Sequence, residues 1–284
     1  SISRELGRNS NDDGYDALLA HQQAKAKRQK PRITKKLNAH RHLRSYVMNK
    51  LDRLWSPGQI SGRLVRDFPD NKEMRISHET IYAFIYAMPK CGLRQELIAN
   101  LRRKHPHRYK HGRDPNKQKA RISDMVSIHD RPEEIEGRQV IGHWEGDLII
   151  GKDHGSAVGT LVERKSRYVF LAHLNSRRAE ETRLSFTRKL QDLPPELRKS
   201  LTYDQGKELS QHKLLTAELD MAVYFCDPHS PWQKGTVENT NGLIRQFLPK
   251  GTDLSDATQD DLDEISHLLN TRPRKALDFQ TPRE

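Results

Sequence analysis

Cysteine is almost missing from this chain of 284 residues, with only Cys91 and Cys226 present. Two cysteines cannot build a disulfide framework or a four-cysteine zinc site. Long apolar runs are missing too, and none reaches the ~18 residues of a membrane-spanning helix. The opening Ser1-Ile2-Ser3-Arg4-Glu5 lacks the apolar stretch of a secretory signal. Only 34% of residues are hydrophobic and 31% are charged, so we expect a soluble, cytoplasmic chain with no membrane partner. Its length allows one large domain or a few smaller ones.

Acidic residues are missing from one long stretch. Between Ala17 and Leu51 there is no Asp or Glu, whereas Lys25, Lys27, Arg28, Lys30, Arg32, Lys35, Lys36, Arg41, Arg44 and Lys50 are all there. A second basic stretch runs from Arg102, Arg103 and Lys104 to Arg121, opposed by Asp114 alone. Like charges at this density disfavour a compact core, and their irregular spacing fits no long amphipathic helix. We read residues 16–42 and 101–125 as basic linkers that follow a phosphate backbone, or else as plain solvated surface. Residues 1–125 carry 28 Lys+Arg against 12 Asp+Glu, and residues 126–284 carry 22 against 26. The front is therefore suited to a polyanion, and the back has carboxylates to spare for another purpose. His40, His42, His105, His107 and His111 lie inside the basic stretches without cysteine or carboxylate ligands at metal spacing, so they are not read as zinc ligands.

Residues 43–100 between the arms read as a small helical unit. Leu43, Tyr46, Val47 and Leu51 recur at helical spacing. Ser56-Pro57 starts a second helix, with Ser as N-cap and Pro in the first turn. Ile60, Leu64, Val65 and Phe68 form its expected apolar face. After a turn over Pro69–Arg75, Ser77 caps a third helix that opens with His78, Glu79, Thr80 and Tyr82. Two helices joined by a turn, the second opening on polar side chains, fit a helix-turn-helix, although any small bundle has this pattern.

Residues 126–284 alternate differently. Strands are expected over His143–Ile150, over a hairpin within Ser156–Leu174, and over Ser200–Tyr203 and Ala222–Cys226. Helices are expected over Arg178–Leu190, Glu208–Leu219, Gly235–Phe247 and Asp260–Asn270, giving a mixed α/β domain. Three acids stand out in it. Asp147 lies inside an apolar strand, Asp204 closes one, and Glu238 sits one turn into a helix. A carboxylate in an apolar strand is costly to bury without a partner. Divalent cations would supply that partner, and a pair of them can drive phosphodiester chemistry. Each acid also has a plain reading: Asp204 as a turn former, Glu238 as a solvated helix residue, Asp147 as the outward side chain of an edge strand. Glu145 and Glu208 compete with them. Cys226 reads as a small buried hydrophobe, and His143 either lines the site or merely starts its strand.

Longer motifs separate these readings. His143-Trp144-Glu145-Gly146-Asp147, Thr202-Tyr203-Asp204-Gln205-Gly206-Lys207-Glu208 and Asp227-Pro228-His229-Ser230-Pro231-Trp232-Gln233-Lys234-Gly235-Thr236-Val237-Glu238-Asn239-Thr240-Asn241-Gly242 resemble bacterial DDE transposases of the insertion-sequence-30 family. The likeness continues through Leu243–Asp253 and Asn270–Lys275, and forward to Trp55–Ile60 and Ser77–Tyr82. Ser1–Asn9 looks like the recognition helix of an earlier helix-turn-helix cut off at its start, so residues 1–15 are read as its remnant.

This resemblance implies a function and a fold. The fold would be an RNase H-like α/β catalytic domain over 126–284, a mixed five-stranded sheet with flanking helices, preceded by a small all-α helix-turn-helix domain. Asp147, Asp204 and Glu238 would be catalytic and would hold two Mg²⁺ ions, with Mn²⁺ as a possible substitute. The enzyme would bind terminal inverted repeats, cut a DNA strand and join the freed 3′-OH elsewhere, through a circular intermediate and as a homodimer or higher assembly on the bacterial nucleoid. His78, Glu79, Thr80 and Tyr82 would face base edges in the major groove. Arg102, Arg103, Lys104, Lys234 and Arg245 would meet phosphates, as would His229. Trp232 would stack on an unpaired base, or else pack on its loop. The competing expectations are a transposase-derived DNA-binding regulator without catalysis, and an integrase or nuclease of the same fold acting on other ends.

Overall fold

A computed structural model describes residues 6–7, 10–11, 14–29, 36–88, 95–97 and 122–284. Most of the expected helix-turn-helix remnant over Ser1–Asn9 lies outside them, as do Arg102, Arg103, Lys104 and nearly all of the second basic arm. A short antiparallel ladder pairs Ser10–Asn11 with Gly14–Tyr15. Helix α1 (Ala17–Gln29) follows, started by the Asp16 carboxylate accepting from the backbone N–H groups of Leu18 and Leu19. Residues 17–29 of the first basic arm are thus helical, where a linker with no long amphipathic helix was expected. Alanine and glutamine favour the helix, while among its described side chains only Ala20 is buried.

Helices α2 (Arg41–Asp52), α3 (Pro57–Asp67) and α4 (His78–Ala87) form the small unit. Ser56 and Gln59 make a reciprocal capping box at the start of α3, and Ser77 Oγ accepts from Thr80 N at the start of α4. Leu43, Val47, Leu51, Ile60, Leu64, Ile81 and Ile85 fill the core. Leu37, expected within the linker, also belongs to this core. Val65 does not, because it points to solvent at 51% exposure, and Phe68 is only partly buried against it. Ser61 Oγ donates to Ile76 O, tying α3 to the turn before α4.

Five strands make the second unit: β1 (His143–Ile150), β2 (Ala157–Glu163), β3 (Val169–Leu174), β4 (Ser200–Tyr203) and β5 (Ala222–Phe225). The sheet order is β3-β2-β1-β4-β5. The first three strands meander antiparallel, then β4 and β5 run parallel to β1. The residues of β2 are all buried because helices cover both faces. Helices α5 (Ala179–Leu190) and α6 (His212–Leu219) cover one face, with Phe186, Leu190, Leu215 and Leu219 against Trp144, Leu161 and Leu201. Helices α7 (Gly235–Ile244) and α8 (Gln259–Asn270) cover the other, with Val237, Leu243, Leu262 and Leu269 against Ile149, Val158 and Val169. This is the RNase H-like mixed sheet with flanking helices. Ile122 and Met125 pack into the first core, so the tail of the expected linker belongs to this domain.

The residues after α8 strap the helical unit onto this domain, a contact that sequence reasoning missed. Arg63 on α3 grips both Glu284 oxygens, at 2.6 and 2.8 Å. Gln59 donates to Pro273 O, and Arg66 donates to Asp278 O. A side chain at Gly62 would place its Cβ 2.3 Å from the Phe279 ring, so only glycine lets the strap lie flush on α3. The Arg63 hydrogen bond holds the Glu284 carboxyl down at about 2. Because that folded value lies below the ordinary one, the clamp is at full strength above the usual carboxylate range. It weakens as pH falls toward about 2. We expect Glu284→Gln to remove this acid-dependent step from a pH series of thermal melts, and a wild-type-shaped profile in the variant would exclude the clamp.

Candidate active site

Strands β1 and β4 run parallel, with Trp144 beside Leu201 and Glu145 beside Thr202. Continuing that register by two residues sets Asp147, midway along β1, beside Asp204, just past the carboxyl end of β4. Gly146 makes this approach possible. A Cβ there would stand 2.7 Å from the Tyr203 ring. We expect Gly146→Ala to cost about 1–3 kcal/mol by overpacking, read as a lower melting temperature. A neutral result would mean that Tyr203 can move aside.

Helix α7 packs against β1 and β2. Lys234, Glu238 and Asn241 follow one another at helical spacing along it. Lys234 Nζ sits 3.3 Å from Asp147 Oδ1 and 3.3 Å from Asp204 Oδ2, with its side chain only 7% exposed. Asn241 donates to Asp147 Oδ2 at 2.7 Å, and its own side-chain oxygen is buried without a partner. Asp204 Oδ1 accepts from Gly206 N, the turn-former geometry, so this acid serves the turn and faces the site at once. Glu238 points to solvent beside this group. Among the described residues no cluster of three or more His, Cys, Asp or Glu is close enough to hold an ion. The structure thus joins Asp147 and Asp204 through Lys234, and leaves Glu238 one helical turn away.

The electrostatics show a site short of positive charge. Burial raises the Asp147 carboxyl above the usual range; Lys234 opposes this and Asp204 adds to it. Burial also raises Glu208 and Glu238. For Lys234, burial disfavours the charge, but Asp147 and Asp204 outweigh it and hold the ammonium above its ordinary value. Each shift favours an added cation or proton.

The competing acid Glu145 has another task. It is fully buried, pairs with Arg164 at 2.9 Å, and accepts from the N–H groups of Thr236 and Val237 at the start of α7. It is the anchor that aims the helix. His143 begins β1 at the far end from Asp147 and bonds Ser200 Oγ, so it does not line the site. Burial pushes the Cys226 thiol up to about 12, in keeping with a buried apolar role.

The expected DNA contacts divide. His78 and Glu79 are exposed on α4, and Tyr82 is half-buried with its ring against His78. Thr80 is half-buried and bonds Ser77 Oγ through its hydroxyl. Exposed Tyr86 lies one turn beyond Tyr82 on the same face and was not anticipated. Trp232 is 73% exposed on the turn before α7, which leaves its ring free to stack and excludes the packing alternative. Two residues expected at phosphates bond the protein's own groups here. Lys234 is buried between carboxylates, and Arg245 spends its guanidinium on the carbonyls of Ile150, Leu248 and Pro249, fastening the end of α7 to the end of β1. Asn241 was missed too, although its place three residues after Glu238 put it on the same helix face.

Residues 137–231 match the family described as the Integrase core domain, a span that includes Asp147 and Asp204 and stops short of α7. The chain is 48% identical over 283 residues to the transposase for insertion sequence element IS1086 of Cupriavidus metallidurans, covering 99% of this chain and 83% of that protein. It is 45% identical over 288 residues to transposase InsI for insertion sequence element IS30A of Escherichia coli, covering 100% of this chain and 74% of that one. The chain belongs to the IS30 family of insertion-sequence transposases. It is also 34% identical over 289 residues to the transposase for insertion sequence element IS4351 of Bacteroides fragilis, covering 100% of this chain and 85% of that one. In this family setting, the β1–β4–α7 corner is the candidate catalytic centre of the chain's integrase core. No described helix is long and apolar enough to cross a membrane.

Proposed function

We propose that this IS30-family chain is a DNA strand transferase that binds the terminal inverted repeats of its element, cuts a strand there and joins the freed end to new DNA. The observation that carries this reading is the pair Asp147 and Asp204 on adjacent parallel strands converging on one cationic position. The donor set fits a hard divalent ion: two carboxylates, the orphaned Asn241 oxygen, and Glu238 one turn away on α7. Asp147, Asp204 and Glu238 would hold two Mg²⁺ ions, or Mn²⁺ in their place. Such ions, when bound, would activate the attacking hydroxyl and neutralise the phosphodiester charge. Asn241 orients Asp147 through its amide, and Glu145 keeps α7 in place. Exposed Trp232, two residues before Lys234 in the chain, would stack on an unpaired base.

Recognition falls to the front of the chain. Helix α4 would enter the major groove, with His78, Glu79, Thr80 and Tyr82 toward base edges. The basic arms, including Arg102, Arg103 and Lys104, would follow the phosphates. A pair of ends implies a homodimer or higher assembly, acting in the bacterial cytoplasm on nucleoid DNA. The test is strand cleavage and joining on duplexes bearing the element's ends, with and without Mg²⁺. End binding without any strand joining would instead favour a DNA-binding regulator. Binding should also weaken steeply with salt, by a log–log slope of about −0.9 for each phosphate neutralised, and a flat response would remove the arms from the interface.

A further inference from the structure

Lys234 is buried where a cation is needed, and it leads into the helix that delivers Glu238. Its ammonium touches both Asp147 and Asp204, and among the described residues no other side chain forms an ion pair with either acid. The Tyr203 ring, 5.3 Å below the ammonium, completes the seat. We propose that Lys234 is the resident counter-cation of this carboxylate pair, filling in the metal-free protein the seat that a divalent ion takes, and that loading the ion drives its ammonium outward. The proposal rests on the reading that Asp147 and Asp204 hold the ion.

The physical argument has three parts. Asp147 Oδ1 and Asp204 Oδ2 converge within 3.3 Å of one point, and their like charges repel each other unless positive charge lies between them. An ammonium and a divalent ion repel each other and cannot share a seat bounded by the same two oxygens. Lysine carries its charge on a flexible four-carbon stem, and Lys234 stands at the junction of a short turn and α7, beside Gly235. Its side chain can therefore leave by rotamer changes while the backbone stays in place. In the emptied protein Lys234 holds β1, β4 and α7 together. In the loaded protein its ammonium becomes available to a DNA phosphate, so that metal loading and DNA grip are coupled through one side chain.

The test uses the full chain without DNA. Mn²⁺ binding is followed by electron paramagnetic resonance, and thermal unfolding is measured in chelator and in Mn²⁺. If Lys234 occupies the seat most of the time, the apparent affinity for the ion is reduced by the fraction of protein left open. Lys234→Met should then bind Mn²⁺ about 10- to 100-fold more tightly than the wild type. It should melt lower than wild type in chelator and gain more from Mn²⁺. Equal or weaker Mn²⁺ binding by Lys234→Met would overturn the proposal. Asp147→Asn separates the two levels of the argument. If it loses Mn²⁺ binding while Lys234→Met gains none, the site stands and only the counter-cation role fails. If it keeps wild-type Mn²⁺ binding, the site itself is misassigned. A readout on the wild type covers the case of a poorly folding variant. Acylation of the Lys234 amine, mapped by mass spectrometry, should be slow in chelator and fast in saturating Mn²⁺. Unchanged labelling on loading would equally overturn the displacement.

Discussion

Asp147→Asn, Asp204→Asn and Glu238→Gln are each expected to lower strand cleavage and joining by roughly a thousandfold or more, about 4 kcal/mol of barrier. Each change removes one carboxylate from the proposed set and keeps the shape of the side chain. Folding should survive. Asn at 147 can still accept from Asn241, and Lys234 keeps one carboxylate when either aspartate is changed. Glu238 is exposed, so its replacement should leave the melting temperature almost unchanged. Binding to end DNA should persist in all three, because recognition lies in the front of the chain. The measurement is a cleavage and joining time course beside a binding isotherm and a thermal melt. A Glu238→Gln variant with wild-type joining would sever α7 from the chemistry and leave only the strand acids.

The opposite pattern is expected two residues earlier on the same strand. Glu145→Ala should cost about 3–5 kcal/mol of stability, because it leaves the buried Arg164 charge with only the more distant Glu136, at 3.9 Å, and strips the acceptor from the start of α7. Burial already lowers the Arg164 pKa, with Glu145 as the main opposing influence. For a domain of this size that loss corresponds to a fall of about 10 °C in melting temperature. Glu145→Gln should lose less, since its amide oxygen still accepts from Thr236 and Val237. Replacing Glu145 and Arg164 together by apolar residues of similar volume should recover part of the loss. Calorimetric melts of the single and double variants decide the matter, and additive losses would show that the two side chains are not a pair.

These two predictions also show how far a one-dimensional reading reached. The strand and helix order of the second domain, the capped helices of the first and the special positions of Asp147, Asp204 and Glu238 were legible, because burial periodicity, capping residues and turn formers act over a few neighbours. Glu145 and Asp147 were not separable. They have the same chemistry and the same strand parity, and what divides them is Arg164 and the start of α7, far away in the chain. Lys234 and Arg245 were read as phosphate contacts because cations near a DNA site usually serve that way, and nothing local signals that one is buried between acids and the other fastened to carbonyls. The helical first arm was hidden by its charge, although its alanines and the Asp16 cap favoured it.

The sequence by itself determined the class of molecule. A scarcity of cysteine and long apolar runs and a basic front pointed to a nucleic-acid partner, and the resemblance of the motifs around Asp147, Asp204 and Glu238 to insertion-sequence-30 transposases implied an enzyme of that family. The tertiary structure alone decided which charges face one another. Parallel pairing of β1 with β4 brings Asp147 to Asp204, α7 adds Lys234 and Asn241, and the C-terminal strap ties Glu284 to Arg63. The reason is the range of the forces involved. Secondary structure follows from nearest neighbours along the chain. A charge at a buried site is set by whatever side chains lie within a few ångströms in space, and these come from distant parts of the sequence.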